Sequence, residues 1–399
     1  MHRVIAKFFV VASGVVAAIA ASAADQPQRP SFDIDTSFPY DLTAIPAYEG
    51  KHPEVYRYID ANLDDHIAHL QRWLRQPSIS AQDVGIDAMA QLLVDDFKAM
   101  GFAEAELVPT DGHPGVWGYY DAGAEKTLMV YMMYDVQPVN PQDWESPPFA
   151  ANLVDHSTGK VIMARGATNQ KGPQRAFLNA LQSIIAVDGT LPVNLMITAE
   201  GEEELGSPHY PQIEDRYEDR LRQADGVIFP MNLQTPTGAM NMFLGVKGIV
   251  YWEMEARGGD WGGPVTSEIH GSYKAILDSP VWRLVQALAL MTTPDGNTAM
   301  IPGFYDGIRP PTEEEQSLIA AALQGPERTG TMQEAFGIKR WIDDADAKQR
   351  AMELTYTPTL NIDGIYGGYT GEGTKTILPH VATAKMDSRL PVGIDPEQH

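Results

Sequence analysis

The stretch Thr127–Pro138, TLMVYMMYDVQP, decides the fold of this chain. An uncharged, largely apolar run ends on Asp135, and a proline follows three residues later. Such a run reads as a strand buried on both faces, as in a parallel sheet covered by helices. Its closing acid falls where such a sheet presents chemistry, because sites in open α/β sheets lie beyond the carboxyl ends of the strands. LPVNLMITAEG (Leu191–Gly201) and DGVIFPMN (Asp225–Asn232) repeat the plan, closing on Glu200–Glu204 and on Met231-Asn232. Helical periodicity lies between them in QRAFLNALQSIIAV (Gln174–Val187), and before them in EVYRYIDANLDDHIAHLQRWLRQ and DAMAQLLVDDFKAMGF. The expected fold is α/β, a mostly parallel sheet flanked by helices.

The texture changes near Gly245. VKGIVYWEMEARGG alternates as a half-exposed strand does, SPVWRLVQALALM is helical, and HVATAKMDSRLP alternates again. These elements imply a small α+β domain after the first. The expected divisions are a signal peptide at 1–23, an N-terminal arm at 24–52, a catalytic domain at 53–244 and a second domain at 245–399. The signal reading rests on Arg3 and Lys7 before the apolar run Phe8–Ala21, with cleavage after Ala23. Of the 399 residues none is cysteine, so the chain has no disulfide, thiolate metal site or cysteine nucleophile. Export without disulfides suits a bacterial periplasm or secretion into the medium. A net charge of −24 argues against nucleic acid or an anionic membrane as partner, and also serves to keep an exported protein soluble.

Three segments carry chemistry. In EGEEELGSP (Glu200–Pro208), adjacent carboxylates project in different directions and can supply one metal ligand and one general base. Crowded acids without a cation also raise one another's pKa. A solvated acidic loop has the same composition, but the apolar lead-in LPVNLMITA favours a site. ARGATNQKGP (Ala164–Pro173) is either a strand-to-helix turn using glycine for geometry or a turn presenting Asn169 and Lys171 to the same edge. TSEIHGS places His270 in a glycine-containing loop, where an ordinary histidine and a functional one look alike.

YMMYDVQP with DWESPPF, then ARGATNQKGP, EGEEELGSP, SEIHGS and KTILPHVATAKMDSRLP follow one another in a recognisable order and approximate spacing. From about Pro53 onward the chain resembles the zinc metallopeptidase family of carnosinase, aminoacylase and succinyl-diaminopimelate desuccinylase, most of all its dipeptidase-type branch. The resemblance implies a dizinc site in the α/β domain and an inserted dimerisation, or lid, domain. It assigns Asp135 to support a histidine ligand, Glu203 to general-base activation of water, and Glu204 to metal binding. His270 becomes the lid residue that stabilises the oxyanion in the partner subunit's site. Arg389, together with Lys171, becomes a candidate for binding substrate.

Departures from that pattern fall on the ligands. The family's first histidine is Met133 here, its bridging aspartate is Asn169, and its later aspartate aligns with Met231. By the family layout the last histidine falls beyond residue 399, and RLPVGIDPEQH ends inside an incomplete lid domain. Zinc takes nitrogen, thiolate or carboxylate oxygen, whereas a thioether suits copper(I). An amide at the bridging position removes the charge that lets two dications sit close together. Zinc or another divalent metal is thus implied by the family and not matched by the ligand set, with Glu204 its one surviving ligand in view. Without cations, Asp135, Glu203 and Glu204 need Lys171, Arg165 or raised pKa values to coexist. Three functions follow as alternatives. One is a hydrolase of peptide or other amide bonds with a reduced or altered metal site, acting on a small peptide or N-acyl amino acid. The second is a metal-free pseudoenzyme binding a small amino-acid derivative without turnover. The third is an interaction protein, a homodimer through its lid.

Overall fold

The computed structural model describes residues 27, 29–32, 52–157, 159–234, 238, 240–241, 243, 245–324, 333 and 337–397. The expected signal peptide, most of the expected arm and His399 lie outside the described residues. The chain divides into two compact units between residues 244 and 245, and the segment 29–32 belongs with the second.

In the first unit, α1 (Pro53–Ala61) and α2 (Leu63–Arg75) divide what reads in sequence as one periodic run. The second of them stops before Pro77, whose ring disfavours helical backbone in the residue preceding it. Next come α3 (Ile86–Ala99), β1 (Glu104–Val108), β2 (Gly115–Tyr120) and β3 (Thr127–Met133). A hairpin of β4 (Asn152–His156) and β5 (Gly159–Met163) leads to α4 (Lys171–Asp188). Last are β6 (Asn194–Glu200), α5 (Tyr210–Leu221), β7 (Gly226–Ile228) and a short pair, β8 (Leu233–Gln234) with β9 (Met240–Asn241).

The central sheet has the order β1-β2-β6-β3-β7. Strand β3 runs parallel to both β6 and β7, whereas β2 pairs antiparallel with β1 and with β6. The sheet is therefore mixed, which corrects the expectation of a mostly parallel one. A short connection joins β1 to β2, and only an antiparallel pair can be closed by so short a turn.

Alternation along the strands sorts side chains to two cores. Val130 and Met132 of β3, Leu195, Ile197 and Ala199 of β6, and Val116 of β2 pack with Trp73, Leu93, Phe97 and Leu178 from α2, α3 and α4. Met196 and Trp117 face the opposite side with Ile213 and Tyr217 of α5, and the Trp117 and Tyr217 rings stack at 4.0 Å. Each fully buried side chain of this size contributes roughly 1.5–3 kcal/mol of transfer free energy. Together these contacts make a rigid platform whose β3 and β6 ends carry Met133 and Glu200 side by side.

The second unit is antiparallel. Strands β10 (Gly248–Arg257), β14 (Val381–Leu390) and β12 (Asn361–Tyr366) form a sheet in the order β10-β14-β12. Helix α6 (Pro280–Leu290) lays Leu284 and Leu288 on Ala382, Ala384 and Met386 of that sheet. Two short strands, β11 (Ile269–His270) and β13 (Ile377–Leu378), pair with each other. Helices α7 (Glu313–Gln324) and α8 (Ala347–Tyr356) also belong to the unit, and Phe32 packs its ring edge-on against Tyr356.

One glycine fixes how α4 leaves the turn before it. A Cβ on Gly172 would lie 1.8 Å from the Ala167 carbonyl oxygen, and the Gly172 N–H donates to the Gly166 oxygen at 3.0 Å. The contact is with backbone, so no side-chain rotation relieves it. Gly172→Ala is expected to lower the stability of the purified protein by about 3 kcal/mol or more, measured by urea denaturation.

Candidate active site

Asp135 is fully buried, one residue past Tyr134 and two past the end of β3. Its Oδ1 accepts the Glu203 N–H at 3.2 Å, and its Oδ2 accepts the Glu204 N–H at 3.0 Å and the Ser80 hydroxyl at 2.7 Å. Burial raises its carboxyl to about 6, even though the Ser80 and Glu204 hydrogen bonds favour the charged form. The carboxylate expected to support a ligand thus acts as the anchor of the Glu203–Glu204 loop. Its oxygens are taken up by two N–H groups of that loop and by the Ser80 hydroxyl, which is a positioning arrangement.

Glu204 is half-buried, and both its oxygens are engaged. Oε1 accepts from Asn169 Nδ2 at 3.1 Å and Oε2 from Gln137 Nε2 at 2.9 Å. Glu203 is half-buried beside it at the start of a single helical turn, Glu203–Leu205. Glu202 turns the other way, buried against His209, whose Nδ1 lies 2.7 Å from its Oε2. Glu200 closes β6 and is 3 % exposed; its Oε1 accepts from Tyr131 Oη at 2.6 Å and Ser207 Oγ at 2.8 Å, while Oε2 is buried without a partner. Burial first, then the nearby Asp135 and Glu203 charges, push the Glu200 carboxyl up to about 7.

The two candidate counter-cations go elsewhere. Lys171 is fully buried, and its Nζ donates to the carbonyl oxygens of Gln76 at 2.6 Å and Trp73 at 3.4 Å. Burial lowers its pKa to about 7 against the opposing pull of Asp135. A lysine sealed in this way ties α4 to α2 and is not placed to meet a substrate, which corrects its expected binding role. Arg165 donates to the Pro138 carbonyl oxygen at 3.4 Å and lies 5.3 Å from the Trp144 ring centroid. Asp135 and Glu204 are met by neutral donors, and burial raises the carboxyl groups of Asp135 and Glu200.

Met133 is 1 % exposed, in register with Glu200 across the β3–β6 pair. Asn169 is exposed and gives its N–H to Glu204. Met231 is half-buried, three residues past β7, with its N–H on the Phe229 oxygen at 2.7 Å. Among the described residues, no group of three histidine, aspartate or glutamate side chains is placed to hold a cation. A buried thioether, an amide donating into the neighbouring carboxylate and a carboxylate with both oxygens engaged do not fit a dizinc centre.

In the second unit, His270 is exposed and its Nδ1 accepts the Ser272 N–H at 3.2 Å. In the neutral ring this leaves the proton on Nε2, which is then a donor. Arg389 is exposed on β14, its Nε on Asp387 at 3.0 Å.

The family model of Peptidase family M20/M25/M40 matches residues 129–342. Beta-Ala-His dipeptidase of Rattus norvegicus is 27% identical over 366 residues, 86% of this chain and 71% of that protein. Cys-Gly metallodipeptidase DUG1 of Candida albicans is 27% identical over 341 residues, 81% of this chain and 68% of that protein. A solved structure, the M20 family metallo-carboxypeptidase Sso-CP2 from Sulfolobus solfataricus, superposes with a TM-score of 0.73 at 34% identity, covering 84% of this chain and 73% of that one. The matches define the class as a peptide hydrolase. The chain belongs to Peptidase family M20/M25/M40. Peptidases of this family usually use zinc or another divalent metal.

Sequence reading missed Gln137 and Ser80. Gln137 stands inside YMMYDVQP and could have been noticed as a polar group two residues past the acid. Ser80 lies 55 residues from its partner, and no local pattern marks it.

Glu200 generates a pH prediction. Its folded pKa, about 7, lies above the ordinary 4.5, so the folded state binds more protons between those values. Its contribution to stability is fully present below 4.5 and is lost as pH rises through about 7. Lys171 acts oppositely at higher pH, since its depressed pKa makes stability rise between about 7 and 10.5. Glu200→Gln keeps an oxygen for Tyr131 and Ser207 and removes the charge. The variant is expected to gain stability relative to wild type at pH 8 over pH 5, by up to about 3 kcal/mol, in parallel denaturation series.

Proposed function

We propose that the protein hydrolyses small peptides or N-acyl amino acids, as dipeptidases, carboxypeptidases and N-acyl amino acid hydrolases do, at a site with a reduced or altered metal-binding set. One observation carries this reading: Glu203 and Glu204 hang by their backbone N–H groups from the buried Asp135 carboxylate. A general base works only when held within reach of the water it deprotonates, and this anchor holds Glu203 at the edge of the sheet. In the proposed reaction Glu203 takes a proton from the water that attacks the amide carbonyl carbon, and returns it to the departing amine nitrogen as the C–N bond breaks. The family resemblance gives His270, whose donor is at Nε2, the role of steadying the oxyanion in the partner subunit's site. The same resemblance gives the substrate carboxylate to Arg389, whose Nε is already committed to Asp387. No step is assigned to a metal.

The substitution of ligand positions by Met133, Asn169 and Met231, a catalytic domain at 53–244 with a lid at 245–399, dimerisation through that lid, and export to a periplasm or the medium belong to the same proposal. A second reading, a binder without turnover, is favoured by the closed Asn169–Glu204 hydrogen bond, which occupies a carboxylate that chemistry would use.

Glu203→Gln is expected to lower kcat/KM by at least about 100-fold on whichever substrate proves active, with the folded fraction unchanged. The assay covers a panel of dipeptides and N-acyl amino acids, with and without zinc, manganese or cobalt. No turnover on any of them, accompanied by ligand-dependent stabilisation, replaces the hydrolase reading with the binding one.

A further inference from the structure

We infer that an amide clamp formed by Gln137 and Asn169, rather than a divalent cation, organises the Glu203–Glu204 loop of this chain. The inference rests on reading this loop as the active site. Its test reads stability and metal content, so it can fail while the proposal of turnover stands, and the reverse.

Two carboxylates that approach one another at a sheet edge must be neutralised by protons, cations or hydrogen-bond donors. Asp135 and Glu204 together receive five neutral donors: Ser80 Oγ, the N–H groups of Glu203 and Glu204, Asn169 Nδ2 and Gln137 Nε2. Every one of their oxygens is used by at least one of these. Lys171 spends its protons on backbone carbonyl groups, and Arg165 lies against Trp144 and Pro138.

The clamp has a built-in polarity. Asn169 Oδ1 accepts from Gln170 Nε2, so its Nδ2 is the end turned toward Glu204. Gln137 meets the other carboxylate oxygen, Oε2, and its Nε2 also lies 3.3 Å from the Glu204 carbonyl oxygen. Two amides from different segments, the turn before α4 and the loop after β3, therefore converge on one carboxylate. Hydrogen bonds to an ionised acceptor are the stronger kind, and here they close the loop with no net charge added.

An aspartate at 169 would keep the Gln170 contact and turn its second oxygen onto Glu204 Oε1, at the 3.1 Å now spanned by the hydrogen bond. Two anions at that distance need a cation between them. The clamp thus makes a specific prediction about what one atom changes.

The full chain is purified without chelator, its metal content measured, and its thermal midpoint recorded in EDTA and in millimolar zinc, manganese or calcium chloride. Wild type is expected to hold well under one metal ion per chain and to show the same midpoint in all four conditions. Asn169→Asp is expected to melt a few degrees lower in EDTA and to recover when a divalent cation is added. Asn169→Ala and Gln137→Ala, which remove a donor without adding charge, are expected to melt lower with no recovery by metal. These two variants keep the test decisive if Asn169→Asp does not fold. Stoichiometric metal in wild type with a metal-dependent midpoint overturns the inference. So does an alanine variant indistinguishable from wild type, or one that a cation rescues.

Discussion

A carboxylate with no exposed surface, Asp135, holds this site together. It sits just past β3 and collects hydrogen bonds from two consecutive backbone amides of the loop after β6 and from Ser80. An ionised or half-ionised acid in that position is tolerable because its donors are fixed by the fold before it arrives. Remove any of them and the desolvation cost of the group, on the order of 1–3 kcal/mol or more, is left uncompensated. The loop bearing Glu203 and Glu204 is thereby tied to the end of β3 through its backbone.

Electrostatics shapes the rest of the first unit's edge. Peptidases of this family usually use a divalent metal; here the edge carries Met133 sealed in the core and amides on Glu204. The remaining acid load is handled by proton retention. Glu200 keeps its proton to about 7 because it is buried beside Tyr131, and Asp135 to about 6. Lys171, the nearest buried cation, is itself pushed down to about 7 and tied to α2.

Much of this was legible in the chain. Apolar runs ending in acids located β3 and β6 and the edge they share, and the change of texture near Gly245 coincides with the boundary between the two compact units. The alternation of VKGIVYWEMEARGG and HVATAKMDSRLP became an antiparallel pair with β10 facing β14 along its whole length. The mixed character of the sheet was not legible, because strand direction is set by connection geometry and not by the strand's own residues. Nor was the fate of Lys171: a lysine in a glycine-flanked turn looks presentable until the helix it starts packs against α2.

By itself the sequence determined which groups exist at the site: Glu203, Glu204 and Asp135 present, and methionine or asparagine at Met133, Asn169 and Met231. That is a matter of chemical identity, read one position at a time, and it limits which metals and which proton transfers the chain can support. Only the tertiary structure decided what those groups do to one another. Ser80, Gln137, Asn169 and Glu204 come from four separate segments, and hydrogen bonds form between atoms about 3 Å apart whatever their distance along the chain. Burial likewise belongs to the folded state, so the raised acids and the depressed lysine could be found only after the core had closed over them.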